Sequence, residues 1–167
     1  MGFAAFGATQ LMLTTLALLA SIGAGTIGGV FFAFSTFVMN ALAQLPANQA
    51  VAAMQRINVV VLNPLFLGVF MGTALLAAGC VAASFLPWTA PRSPLLLAAG
   101  LLYLVGSWGV TMALNVPRNN RLARTNAESP EAAIYWPDYV REWSVWNHVR
   151  TVGSIASAAC SAGSLAV

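Results

Sequence analysis

Long stretches without a charged residue alternate with short polar segments along this chain. One stretch precedes Arg56, the next lies between Arg56 and Arg92, a third ends at Arg118, and the last follows Arg150. A helix needs about 20 mostly apolar residues to cross the hydrocarbon core of a membrane, so each stretch predicts one span. We place the spans at residues 9–39, 58–86, 94–114 and 145–167.

The connections between these spans are short, which favours neighbouring antiparallel helices. The segment between the third and fourth spans, "RLARTNAESPEAAIYWPDYVREWS", carries both charge signs and predicts a short helical segment over one end of the bundle. The predicted fold is therefore all-α. It is a single membrane-embedded domain over residues 1–167, built as a four-helix transmembrane up-and-down bundle.

Composition supports a membrane location. Only 7% of the 167 residues are charged and 59% are hydrophobic, whereas soluble domains contain about 25% charged residues. All seven basic residues are arginines, and they form no basic tract, which argues against nucleic acid as a partner. Cys80 and Cys160 lie in apolar spans without a second Cys or His at ligand spacing, so free thiols are predicted and no metal site.

The arginines also predict an orientation. Up-and-down topology places all of them except Arg92 at the end of the bundle formed by the first and third connections. By the positive-inside rule that end faces the cytoplasm and the termini face outward, as an integral protein of a bacterial cell membrane.

Polar side chains gather at the same end of the predicted bundle. They open the second span, close the third and open the fourth: Asn58 and Asn63; Asn115 and Asn119; Trp143, Asn147, His148 and Arg150. Antiparallel packing brings these helix ends together, so we expect a polar site there.

One face of the fourth span is polar or small throughout. Steps of three and four residues from Trp143 reach Asn147, Arg150, Ser154, Ser157, Ser161 and Ser164. Serines on such a face allow close helix contact and hydrogen bonds between helices. We expect this face to turn toward the other spans.

Arg150 requires a separate explanation, because an arginine within a span costs about 2.5 to 3.5 kcal/mol and normally faces a cavity or a partner. Glu142 and Asp138 are near enough in sequence to pair with it. Snorkelling to the interface is the alternative. His148 lies about 100° round the helix from Asn147, where it is either a general base or a hydrogen-bonded interface residue.

Two further patterns concern helix packing. "GAGTIGG" matches a dinucleotide-binding spacing, but it lacks the preceding strand and the following acidic residue that such a site needs. Gly25 and Gly29 instead predict close packing of the first helix on another. The pair Asn63-Pro64 predicts a kink in the second helix, since proline removes one backbone hydrogen bond.

Four segments in chain order resemble the anthrone oxygenase-like family of small four-helix membrane proteins. They are "FFAFSTFVMNAL", "AAMQRINVVVLNPLF", "LNVPRNNRLA" and "WSVWNHVRT". The sequence departs from the family pattern at Asn40, where many relatives have proline. The resemblance implies oxidation of an anthrone to an anthraquinone with molecular oxygen and no evident cofactor. It also implies a polar signature at Asn58, Asn63, Asn115, Asn119, Trp143, Asn147 and Arg150.

These residues suggest a reaction scheme. His148 or a bound water would remove a proton from the anthrone, and Arg150 with Asn115 and Asn147 would stabilise the enolate oxygen. Flat walls for a planar substrate would come from Phe66, Trp143 and Trp146. The predicted function is thus a membrane-embedded oxygenase acting on a small apolar aromatic within membrane lipid. Alternatives are a non-catalytic lipid- or quinone-binding protein, or an accessory subunit of a membrane complex, and homo-oligomerisation stays open.

Overall fold

The fold is all-α, as predicted. The structure, a computed structural model, describes residues 2–86 and 89–167, with side chains from Gly7 onward, and these ranges contain no strand. The first rod joins α1 (Gly2–Ala33), a π-helical stretch (Phe34–Val38) and α2 (Met39–Ala43), and is followed by α3 (Ala47–Val60) and α4 (Pro64–Ser84). The next rod joins α5 (Ser93–Leu101), two π-helical stretches (Leu102–Gly109 and Thr111–Asn115) and α6 (Val116–Arg124), and α7 is Pro130–Gly163.

Three helical rods within the described ranges are long and apolar enough to cross a membrane. They cover Gly7–Ala43, Pro64–Ser84 and Ser93–Arg124. The C-terminal part of α7, predicted as a fourth span, is less apolar on average because it carries polar residues such as Asn147 and Arg150. These residues are buried inside the protein.

The second span begins later than predicted, because the helical conformation is interrupted before Pro64. Asn63 has an extended backbone, and its Oδ1 accepts a hydrogen bond from the Phe66 N–H at 3.0 Å. Pro64 lacks an N–H and has a fixed φ, which suits the first position of a helix. The pair therefore starts α4 instead of kinking a longer helix, and Asn58 belongs to the separate helix α3.

The segment predicted as a short helix between the third and fourth spans is largely helical, but most of it belongs to the long helix α7. Ser129 caps α7, its Oγ accepting from the Ala132 N–H at 3.3 Å, and Pro130 is the first helical residue. The helix then continues through Pro137 for 34 residues in all. The charged segment and the buried polar face therefore belong to one continuous helix.

Glycines allow α7 to approach two other helices closely, and one glycine of the predicted pair faces α7. A Cβ on Gly28 would lie 3.3 Å from Cβ of Ser154, and a Cβ on Gly153 would lie 2.9 Å from the backbone carbon of Gly106. A Cβ on Gly29, by contrast, would meet nothing within 4 Å. The contact between α1 and α7 therefore runs through Gly28 and through Gly25, where a Cβ would lie 3.9 Å from Cβ of Ala158.

The predicted polar face of α7 is buried, as expected. Ser154 donates to Ser107 Oγ at 2.9 Å, and Ser157 donates to the Ala99 carbonyl at 2.7 Å. These bonds tie α7 to the rod that contains α5. The same face continues toward Arg150, so the packing that holds the serines also fixes where Arg150 points.

Candidate functional site

A cavity of about 460 Å³ opens between α1, α3, α4, α6 and α7. This volume lies within the range of about 300–1,000 Å³ that is usual for small-molecule sites. Five aromatic side chains contribute to its wall: Phe31, Phe34, Phe66, Phe70 and Trp143. Its polar lining residues are Gln55, Asn58, Thr111, Asn119, Asn120 and Arg150. The cavity thus combines flat apolar surfaces with a few polar groups.

Arg150 is the one charged residue that lines this cavity, and it is 5% exposed. Its guanidinium carbon lies 4.2 Å from the centre of the Phe31 ring and 4.9 Å from that of the Trp143 ring. The guanidinium donates to Asn147 Oδ1 at 2.7 Å and to Thr111 Oγ1 at 3.4 Å, while its Nε has no partner among the described residues. Two aromatic faces and two neutral oxygens therefore hold the cation.

The acidic residues near Arg150 in sequence pair elsewhere, contrary to expectation. Arg118 binds Glu142 at 3.0 Å, and Arg141 binds Asp138 at 2.9 Å. Since α7 is continuous, Glu142 lies about 12 Å from Arg150 along the helix axis. No described carboxylate forms an ion pair with Arg150. The cavity therefore presents a positive charge that an electron-rich ligand oxygen could complement.

Asn147 connects Arg150 to α1. Its Nδ2 donates to the Phe31 carbonyl at 2.8 Å and to Ser35 Oγ at 2.7 Å, while its Oδ1 accepts from Arg150. Ser35 lies in the π-helical stretch Phe34–Val38, and such stretches are frequent at functional sites. Asn147 is fully buried and lies outside the cavity lining, so it positions Arg150 from behind.

Asn119 is held by two donors at the cavity wall. Its Oδ1 accepts from the Tyr139 hydroxyl and from the Trp143 indole N–H, both at 2.9 Å. Burial raises the pKa of the Tyr139 phenol above its ordinary value, with the side chain of Asn58 acting in the opposite direction. The phenol therefore stays protonated at neutral pH and remains a donor.

Two other predicted amides retain an unpartnered atom. Asn115 is fully buried and donates to the Trp143 carbonyl at 3.3 Å, but its Oδ1 has no partner in the described part of the chain. It lies behind Trp143 and does not line the cavity. Asn58 does line the cavity, and its Nδ2 is buried without a hydrogen-bond partner. That nitrogen has almost no accessible surface, and the Asn58 side chain lies close to the Tyr139 hydroxyl.

The sequence model of the family described as anthrone oxygenase matches residues 64–160, more than half of the chain. This chain belongs to the anthrone oxygenase family. Neither a curated protein nor a solved structure matches it. The matched region runs from the start of α4 almost to the end of α7, so it includes Phe66, Asn119, Trp143 and Arg150.

Besides Asn147 and Asn115, three further residues predicted for the site of this anthrone oxygenase family member lie outside the cavity lining. His148 is exposed on α7 and does not line the cavity, so it is not placed to act as the base. The 100° separation from Asn147 turns it outward once Asn147 faces inward. Trp146 is half-buried and also lies outside the lining, and Asn63 serves as the cap of α4.

Other residues of the site were missed in the sequence. Phe31, Phe34 and Phe70 lie in apolar stretches, where nothing distinguishes a cavity wall from a lipid-facing side chain. Thr111 carried a weak signal, because it precedes Asn115 by four residues and so shares a helix face with it. Tyr139 precedes Trp143 by the same spacing and so shares a helix face with it. Because Trp143 was predicted for the site, this spacing could have identified Tyr139 as a second residue there.

Proposed function

We propose that this protein is an integral membrane protein whose spans form a four-helix up-and-down bundle. The fourth span is the C-terminal half of α7. Its outward residues are exposed and apolar, including Val145, Val149, Val152 and Ile155, while its polar residues face inward. A helix with this distribution suits lipid on one side and the bundle on the other. The excess of arginines supports a cytoplasmic orientation of the cavity end, in a bacterial cell membrane.

The proposed activity is that of an oxygenase which oxidises a small planar aromatic, of the anthrone type, to a quinone. The observation that carries this proposal is Arg150, a buried cation without a carboxylate, held between two aromatic rings in an apolar cavity. The phenylalanine and tryptophan walls suit a flat aromatic ring system. Family membership supports the same reaction class.

Arg150 has a specific role in this reaction. Removing a proton from the anthrone methylene group places negative charge on the carbonyl oxygen, and a positioned guanidinium stabilises that charge. The enolate then donates electrons to molecular oxygen. One oxygen atom of O₂ becomes the new carbonyl, and the other leaves as water with the two methylene hydrogens. The scheme uses O₂ as a co-substrate and needs no cofactor. Water or hydroxide takes the place of His148 as the base.

Emodin anthrone provides the test. The protein, purified in mild detergent, is incubated aerobically with it while quinone absorbance and oxygen uptake are followed. Arg150→Ala should reduce the rate about 100-fold or more, as the loss of one stabilising donor does in other oxyanion sites. Arg141→Ala is the matched control, because Arg141 lies on the same helix but is exposed and paired with Asp138.

Two results would count against the proposal. In the first, folded protein oxidises emodin anthrone no faster than the spontaneous reaction does. That result would favour a lipid- or quinone-binding protein, or an accessory subunit, that uses the same cavity without turnover. Equal rates for Arg150→Ala and Arg141→Ala would remove Arg150 from the reaction.

A further inference from the structure

Two polar side chains beside Trp143, those of Arg150 and Asn119, line the cavity and carry hydrogen-bond donors. Arg150 has no acceptor atom at all. Asn119 lines the cavity, and its oxygen is already occupied by the two donors Tyr139 and Trp143. A ligand in this part of the cavity therefore meets donors and needs acceptor oxygens.

The orientation of the Asn119 amide is fixed by its neighbours. The indole N–H of Trp143 can only donate, so the amide atom 2.9 Å away from it must be the oxygen. The Tyr139 hydroxyl donates to the same atom, also at 2.9 Å. The amide nitrogen then points away from both partners, and it forms no hydrogen bond with another described residue. It is free to bind a ligand.

Asn119 and Arg150 flank the same indole. Arg150 lies over the face of the Trp143 ring, whereas Asn119 bonds the N–H at its edge. The Arg150 guanidinium and the Asn119 amide are therefore separated by little more than the width of one aromatic ring and the length of one hydrogen bond. A rigid polycyclic ligand with an oxygen at each side could reach both.

We propose that Asn119 is a second polar anchor of the site, donating to a ligand oxygen other than the one that Arg150 binds. Tyr139 and Trp143 are positioning residues that hold the amide in this orientation. The site then selects aromatic ketones with acceptor oxygens on two sides over hydrocarbons of the same shape. The inference rests on the proposed function for its class of ligand, but it concerns binding and does not require turnover.

The test compares two probes that differ in acceptor oxygens. Binding of 9,10-anthraquinone and of anthracene is measured by quenching of tryptophan fluorescence in detergent, with no anthrone present. Asn119→Ala should weaken anthraquinone binding about tenfold, as expected for one hydrogen bond with its desolvation. Anthracene binding should change less than about twofold. Asn40→Ala is the matched control, because Asn40 is exposed and bonds only within its own helix.

A second variant separates binding from folding. Asn119→Asp keeps an oxygen for Tyr139 and Trp143 but replaces the free N–H with another oxygen. At pH 8, where a carboxyl is ordinarily ionised, it should lose anthraquinone binding and keep anthracene binding. Three results would refute the role of Asn119 as a polar anchor. They are retained anthraquinone binding in either variant, an equal loss of affinity for both probes, and no preference for anthraquinone in the unmodified protein.

Oxygen uptake with emodin anthrone on the same samples keeps the two proposals apart. Selective quinone binding without turnover would refute the oxygenase function and leave the anchor in place. Turnover with unchanged ligand selectivity in Asn119→Ala would refute the anchor alone.

Discussion

Replacing Gly153 with alanine tests the helix contact that positions Arg150. The new Cβ would lie 2.9 Å from the carbonyl carbon of Gly106, 3.1 Å from its Cα and 3.1 Å from the Leu102 oxygen. All three atoms belong to backbone, which cannot rotate away as a side chain could. The helices must therefore separate or slide, and Arg150, less than one turn away on α7, must move with them.

The magnitude follows from two opposing effects. Overpacking of a close contact costs about 1–3 kcal/mol, and backbone atoms place this case near the upper end. Alanine is about 0.5–1 kcal/mol better than glycine within a helix. The free energy of unfolding should therefore decrease by about 2 kcal/mol. The melting temperature should fall by about 4–8 °C, at the 2–4 °C per kcal/mol usual for this chain length.

Gly29→Ala is the matched control, because a Cβ there would meet nothing within 4 Å. It should raise the melting temperature slightly through helix propensity alone. The assay is thermal unfolding in one detergent, followed by circular dichroism, together with anthrone oxidation at a temperature where both variants are folded. The reasoning fails if Gly153→Ala is as stable as Gly29→Ala, or if it loses stability without any change in activity.

Two further predictions concern residues of α7. His148→Ala should leave anthrone oxidation within about twofold of the unmodified protein, because the imidazole is exposed outside the cavity; a tenfold loss of steady-state rate would restore it as a candidate base. Asn147→Ala should lower the free energy of unfolding by about 2 kcal/mol, since it removes the amide that donates to the Phe31 carbonyl and the oxygen that accepts from Arg150. Chemical denaturation against Asn40→Ala, whose amide is exposed and bonds only within its own helix, checks this, and equal stability would contradict the proposed link between α1 and α7.

The sequence by itself determined the helical class and the end of the molecule where polar chemistry gathers. Long charge-free stretches can satisfy their backbone groups in lipid only as helices or closed barrels, and the apolar runs here have helical length. The spacing of Trp143, Asn147, Arg150 and Ser154 put them on one face, because residues three or four apart on a helix share a side. The burial of that face follows from its polarity.

Where one helical segment follows another along the chain, the local sequence did not determine whether they form one helix or two. Asn63-Pro64 suits either a kink or a new helix, and only the extended backbone at Asn63 makes it a start. In α7, Trp136 and Tyr139 precede the predicted fourth span, and they pack in one buried cluster with Val51 and Met54 of α3. The sequence pattern alone could not distinguish one long helix from two short ones.

Only the tertiary structure decided the partners of Arg150 and the direction of His148. Helical periodicity fixes the angle between two residues on one helix, but it does not say which neighbours the helix faces. Phe31 and Thr111 come from distant segments, and they reach Arg150 only because Gly28, Gly106 and Gly153 let the helices approach closely. The same packing leaves the carboxylates of α7 on the surface, so Arg150 enters the cavity as an unpaired cation.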